Sequence, residues 1–165
     1  MLRNITYTTL GLLLVLYIDS ASAADATATA SATILQPIAV STTTHLSFGD
    51  IYPDKTAAGT VTVDVDGGRS AGGSAKLGAS AGTAALFAVT GESNTGFSVS
   101  LPSSIDITHD DGSTTMAVNS FNHNAAAALD VNGAANFNVG ATLQVGADQK
   151  PGAYTGSFNV TVNYN

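Results

Sequence analysis

The sequence predicts an all-β fold, specifically an immunoglobulin-like antiparallel β-sandwich that follows a cleaved signal peptide. Short stretches in which apolar and polar residues alternate recur along the chain, and turn-favouring residues separate them about every 8–12 positions. The only candidate for a helix, residues 125–129, is too short to be stable alone. Together these observations indicate roughly nine to ten short strands.

The first 23 residues have the pattern of an export signal. Arg3 supplies a positive charge, Leu10–Ile18 supplies a short apolar region, and Ala21-Ser22-Ala23 fits a cleavage site. The apolar region is too short to span a bilayer of about 30 Å. We therefore expect an exported protein that passes through the periplasm to the cell surface or beyond. Its mature chain should begin at Ala24 and should not be inserted in the membrane.

The mature chain divides into an extended segment, residues 24–33, and a β-sandwich domain, residues 34–165. In the segment, alanines occupy alternate positions: Ala26, Ala28, Ala30 and Ala32. A period of two, little charge and a place before the first core strand suit a strand that is donated to a neighbouring molecule. Two other interpretations remain open, a disordered leader and a first strand that pairs within its own domain.

The first half of the domain contains short alternating runs closed by turn residues. Their apolar positions are Ile38, Val40, Leu46, Phe48, Val61, Val63, Val65, Phe87 and Val89. Turns are predicted at 49–53, at Asp66-Gly67-Gly68 and at Gly91. The glycine-rich stretches 71–74 and 78–82 predict mobile loops.

The second half continues the same pattern up to the last strand. Its apolar positions are Phe97, Val99, Leu101, Ile105, Ile107, Met116, Val118, Phe121, Leu129, Val131, Phe137, Val139, Ala141, Leu143 and Val145. Pro102 and the turn at 109–112 separate these runs, and Asn132-Gly133 is the strongest hairpin signal in the chain. Residues 150–152 should form the turn before the final strand.

The final residues alternate without exception from Tyr154 onward. The even positions are Tyr154, Gly156, Phe158, Val160, Val162 and Tyr164, and every odd position is polar. This pattern predicts a strand with one buried face and one face in water. An ordinary last strand of a β-sandwich would show the same pattern.

The carboxyl terminus also resembles that of pilus subunits of the chaperone–usher type. The resemblance lies in a glycine fourteen residues from the end, the alternating apolar residues and the penultimate tyrosine. In that family a periplasmic chaperone captures the strand, which borders the groove that accepts the next subunit. The resemblance implies subunit or chaperone contacts for Gly152, Phe158, Val160, Val162 and Tyr164, together with the four alanines of the amino-terminal segment.

A second resemblance covers nearly the whole mature chain. Leu46-Ser-Phe-Gly-Asp-Ile51, Gly59–Val63, Asn138–Leu143 and Pro151–Gly156 are similar to segments of a bacterial secreted family, domain of unknown function 4402. That family has no established activity, so the resemblance implies a secreted domain and no particular chemistry.

Composition argues against catalysis and against nucleic-acid binding. The net charge is −7 and the chain lacks basic patches, which nucleic acids require. There is no cysteine and no Asp-x-Asp-x-Asp-Gly calcium loop. His45, His109 and His123 lie far apart in the sequence without the spacing of metal ligands. We therefore expect no enzyme activity, no metal and no cofactor.

Two functions fit these expectations. The first is a structural subunit of a surface fimbria or pilus, joined to other copies or to related subunits by donor-strand complementation, with a periplasmic chaperone and an outer-membrane usher as further partners. The alternative is a monomeric secreted or surface binding module, such as an adhesin or a carbohydrate-binding domain.

Overall fold

The computed structural model describes residues 22–165, so nearly all of the predicted signal peptide lies outside the described residues. The domain begins at Ile34, and the residues before it belong to a separate unit. Within the described range the secondary structure consists of strands and turns, which confirms the predicted all-β class. This part of the chain contains no helix that is long and apolar enough to cross a membrane. Residues 22–38 belong to no strand.

The domain contains twelve strands among its described residues. They are β1 (Ala39–Thr44), β2 (Ile51–Tyr52), β3 (Gly59–Val63), β4 (Arg69–Gly73), β5 (Lys76–Leu77), β6 (Ala85–Thr90), β7 (Phe97–Ser100), β8 (Ser104–His109), β9 (Thr115–His123), β10 (Ala134–Val145), β11 (Tyr154–Thr155) and β12 (Thr161–Tyr164). All pairings are antiparallel, as predicted.

Strand β10 organises the main, eight-stranded sheet. Its first half, from Ala134 to Val139, pairs with β6, and its second half, from Ala141 to Val145, pairs with β3. The opposite edge of β10 pairs with β9. The sheet runs in the order β1-β6-β10-β9-β8-β11, while β3 carries β4 as a side branch. The main sheet is curled; its main path ends at β1 and β11, and the side branch ends at β4.

Two apolar clusters form the core. In the first, residues of β6 and β10 pack with Phe97 and Val162 from the small β7–β12 sheet. In the second, residues of β3, β9 and β10 pack with Phe48 and Ile51, from the chain that leads into the small β2–β5 sheet. Leu46 contacts both clusters, so the two parts of the core are continuous.

Several predictions for individual segments of the domain are wrong, and among them the predicted turn at 49–53 contains the short strand β2. The stretch 71–74, predicted as part of a mobile loop, contributes to β4, which pairs with β3 from Gly59↔Gly73 to Val63↔Arg69. Backbone hydrogen bonds form this strand, so its small side chains gave no alternating pattern. The predicted strand around Leu129 and Val131 is also absent, because the chain turns there. Leu129 is buried, but Val131 is 73% exposed.

Candidate functional site

An open cleft of about 720 Å³ is the candidate site of the domain. Two chain segments flank it, residues 46–53, which follow β1, and residues 149–158, which include β11. Its floor is one face of the main sheet at β8, β9 and β10. The cleft is thus bordered by segments that adjoin the two ends of the curled sheet.

The floor of the cleft consists of apolar side chains in cross-strand rows. Leu143 on β10 lies opposite Val118 on β9, which in turn lies opposite Ile105 on β8. In the next row Met116 lies opposite Ile107. Leu143 and Val118 are buried, whereas Ile105, Ile107 and Met116 are only half-buried. An apolar surface is therefore left incompletely covered at the β8 side of the floor.

Arg69 holds the first wall of the cleft in place. Its guanidinium group donates hydrogen bonds to the carbonyl oxygens of Phe48 at 2.8 Å, Asp50 at 3.2 Å and Gly78 at 2.8 Å. The planar guanidinium fork suits several acceptors at once, which a lysine could not serve in the same way. The side chain therefore ties the segment 46–53 to the loop that follows β5.

The second wall is held by His109, at the end of β8. Its Nε2 lies 3.0 Å from the carbonyl oxygen of Pro151, which can only accept, so Nε2 carries the proton and donates. Its Nδ1 accepts a hydrogen bond from the backbone N–H of Asp111 at 2.9 Å. The ring also meets the ring of Tyr154 edge to face, at 4.9 Å between centroids. His109 thus has a structural role beside the cleft.

Gly152 lies in the same wall, where only glycine fits. Its φ of +146° is a backbone conformation that other residues rarely adopt, and a Cβ atom there would collide with the ring of His109. The glycine that the sequence singled out as a contact residue therefore allows the wall to pack against its own domain.

An ion pair closes the outside of this wall. The Lys150 ammonium group donates to Asp111 Oδ2 at 2.7 Å, and the backbone N–H groups of Ser113 and Thr114 donate to Oδ1. The hydrogen bond from Lys150, followed by those from Thr114 and Ser113, holds the pKa of Asp111 well below its usual value of 3.8. The carboxylate stabilises the wall only while it is ionised.

We expect this ion pair to make the domain acid-sensitive. Because the folded-state pKa of Asp111 is lowered, its stabilising effect is complete above the unfolded-state pKa and is lost as the pH falls below about 4. Replacing Lys150 with methionine should lower the thermal midpoint at about pH 7 and reduce its further fall towards about pH 3. The exposed Lys55, which forms no ion pair among residues 22–165, provides the matched control Lys55→Met. Identical pH profiles for the two variants would contradict this role.

The carboxyl-terminal segment contributes one strand to the main sheet and one strand to the small β7–β12 sheet. The predicted single strand is two strands, because Tyr154–Thr155 pairs with β8 in the main sheet and Thr161–Tyr164 pairs with β7. Residues 156–160 cross between them and belong to no strand. The predicted alternation is confirmed for Phe158, Val160 and Tyr164, which are half-buried, and for Val162, which is buried; the odd positions are exposed, but so is Gly156.

A second, smaller cavity of about 230 Å³ lies on the other side of Phe158. It is bordered by residues 40–42 of β1 and by residues 158–160. Phe158 lines both cavities, and its ring lies 6.2 Å from that of Phe87 and 5.0 Å from that of Phe121, between centroids. The cleft and the smaller cavity therefore follow the same gap between the chain segments at the two ends of the main sheet.

Tyr164 ties the carboxyl terminus to the start of the domain. Its hydroxyl group donates to the carbonyl oxygen of Gln36 at 2.7 Å and accepts from the backbone N–H of Glu92 at 2.6 Å. The Glu92 carboxylate in turn accepts from the backbone N–H of Gln36 at 2.9 Å. The penultimate tyrosine therefore serves its own domain, and both backbone groups of Gln36 are held.

The other predicted contact residues fall into two groups. Phe158, Val160, Val162 and Tyr164 come together in the first apolar cluster. Ala26, Ala28, Ala30 and Ala32 are exposed in the unit Met1–Thr33 and belong to no strand.

The arrangement of the cleft suits the binding of an extended segment. Among residues 22–165 there is no group of three or more histidine, cysteine or acidic side chains that could hold a metal ion. The cleft presents apolar side chains between two chain segments, which fits an extended apolar segment. Sequence reasoning missed the floor residues Ile105, Ile107 and Met116 as site residues, because their alternation is that of any core strand.

The comparisons with known proteins give one match. The sequence profile of the family Domain of unknown function (DUF4402) matches residues 38–164, which include every strand described above. Neither the curated proteins nor the solved structures contain a match. Because the match covers most of the chain, the protein belongs to the family Domain of unknown function (DUF4402).

Proposed function

We propose that the protein is a structural subunit of a surface fimbria or pilus in which neighbouring copies are joined by donor-strand complementation. The observation that carries this proposal is the half-covered apolar floor of the cleft, flanked by the segments at the two ends of the curled sheet. A sheet that ends in this way offers unpaired backbone groups to an incoming strand.

Strand addition would complete this part of the core. An added strand forms backbone hydrogen bonds along its length, and side chains of one parity point into the groove. Those side chains would cover Ile105, Ile107 and Met116, which the domain itself leaves half-buried. Burial of apolar surface favours the complex by about 25 cal/mol for each Å² removed from water.

The proposed donor is the segment 24–33 of a neighbouring copy. Its even positions, Ala26 to Ala32, would face the groove, and its threonine and serine side chains would face outward. Asp25 is its only charged residue, so this segment can approach a copy whose net charge is −7 without adding much repulsion. Alanine side chains demand little room, so backbone pairing would supply much of the interaction.

Several further features belong to the same proposal. The protein would be exported by its predicted signal peptide, and a periplasmic chaperone would cover the cleft until an outer-membrane usher joined the subunits. Its domain would be an immunoglobulin-like sandwich, which is supported by the packing of the β7–β12 sheet over the main sheet. It would have no catalytic activity.

Deletion of Asp25–Ser31 tests the proposal. We expect the intact mature chain to form ordered multimers, seen by size-exclusion chromatography with light scattering and by negative-stain microscopy. The deleted protein should remain folded or chaperone-bound but should not form them. Replacing Ala28 or Ala30 with proline should act in the same way, because proline removes a backbone donor from the added strand.

Ala126→Pro is a control for nonspecific effects of proline, since Ala126 lies in an exposed connection outside the strands. It should leave assembly intact. If the deleted protein assembles as well as the intact one, the donor-strand proposal is wrong. A monomeric binding module would then be the better interpretation, with the exposed Tyr52 beside the cleft as a candidate contact for a sugar ring.

A further inference from the structure

We infer that Ile34 is the anchor of the donor segment and that it enters the cleft of a second copy over Met116. This inference rests on the proposed function, but it names a residue outside the segment 24–33 and gives the segment a register. It assigns the strongest side-chain contact to the end of the segment that is nearest its own domain.

The exposure of Ile34 is the first argument. Ile34 is 95% exposed and the adjacent Leu35 is 54% exposed, although both are large aliphatic side chains. Covering either side chain with another molecule would remove apolar surface from water, which favours association. Ile34 continues the even positions of the alanine series, so in an extended strand it shares their face, whereas Leu35 points to the opposite face.

The anchoring of Gln36 is the second argument. Its N–H donates to the Glu92 carboxylate and its carbonyl accepts from the Tyr164 hydroxyl. The backbone is thus fixed only two residues after Ile34, yet the Ile34 side chain finds almost no cover there. A fixed point next to an exposed apolar side chain limits the entropy lost when that side chain binds elsewhere.

The chemistry of the floor is the third argument. The rows formed by Ile105, Ile107 and Met116 are apolar and uncharged, and they are half-exposed to the cleft. The methionine side chain is flexible, so it can adapt its shape to a β-branched partner such as isoleucine. The alanines alone would leave much of this floor uncovered, whereas the larger Ile34 side chain can cover the part around Met116.

The lack of cysteine in the chain allows a direct test by disulfide formation. We expect the double variant Ile34→Cys/Met116→Cys, produced in the exporting cell, to give a ladder of dimers and larger species on a non-reducing gel. A disulfide requires Cα atoms within about 4.4–6.8 Å, so the ladder reports direct contact. The matched control Leu35→Cys/Met116→Cys should give at least about tenfold less of the ladder, because Leu35 lies on the other face. Ile34→Cys/Ile107→Cys is a second pair in case one variant fails to fold.

The outcomes distinguish the assignment of Ile34 from the donor-strand proposal on which it rests. If the unmodified chain forms multimers that Ala30→Pro abolishes, but neither cysteine pair gives a ladder above its control, the assignment of Ile34 is wrong and the donor-strand proposal stands. If the disulfide closes within single chains, the occupant is the chain's own segment, which overturns the inference. If the unmodified chain forms no multimers and no ladder appears, both fail.

Discussion

Replacing Arg69 with methionine is expected to lower the free energy of unfolding by about 3–5 kcal/mol, because three carbonyl oxygens lose a charged donor at once. The carbonyls of Phe48 and Gly78 accept their bonds in part-buried surroundings, so water can replace the guanidinium group only in part. Methionine keeps much of the aliphatic volume of the side chain. The loss therefore measures the hydrogen bonds rather than the packing.

Urea unfolding followed by circular dichroism measures this effect, and Arg69→Lys is the matched control. Lysine retains the positive charge but lacks the planar fork, so its loss should lie between those of the native protein and the methionine variant. If both variants were as stable as the native protein, the role of Arg69 would be excluded. Because Arg69 holds the 46–53 wall, the methionine variant should also assemble less well than the lysine variant.

The alternation in the sequence predicted the central strands well, for a simple physical reason. Strand β10 buries Phe137, Val139, Ala141, Leu143 and Val145, which are alternate residues. A slip of one residue would expose all five, so burial enforces the pattern in the sequence. The same argument applies to Val162 in β12, although the sequence could not show that the last strand changes sheets.

Other features of the fold leave no such trace in the sequence. Strands β4 and β5 have mostly exposed, small or polar side chains, and backbone pairing with β3 and β2 holds them. The role of Arg69 depends on carbonyl groups that are distant in the sequence, and carbonyls carry no residue signature. Sequence patterns report side-chain burial, so elements held by the backbone escape them.

The candidate site was predictable only in part. The sequence pointed to the carboxyl-terminal segment, which does border the cleft through Gly152 and Phe158. It could not show that Val162 and Tyr164 pack within their own domain. A strand face made of even-numbered apolar residues has the same sequence pattern whether it covers its own core or a neighbouring molecule. The cleft itself arises because the curled sheet ends at β1 and β11, and this is a property of the whole topology.

Replacing Phe158 with alanine is expected to lower the free energy of unfolding by about 3 kcal/mol, the lower end of the range for phenylalanine in a core, because the ring is half-buried. The ring packs against those of Phe87 and Phe121 and separates the cleft from the smaller cavity. Its removal would join the two cavities and leave the ring of Phe121 without its aromatic partner, whereas Phe87 would keep its stacking with Phe137. Asn159→Ala, on the exposed face of the same segment, should change stability by no more than about 0.5 kcal/mol. Urea melts of the two variants measure the difference. Equal losses of stability would mean that the Phe158 ring does not separate the cleft from the smaller cavity.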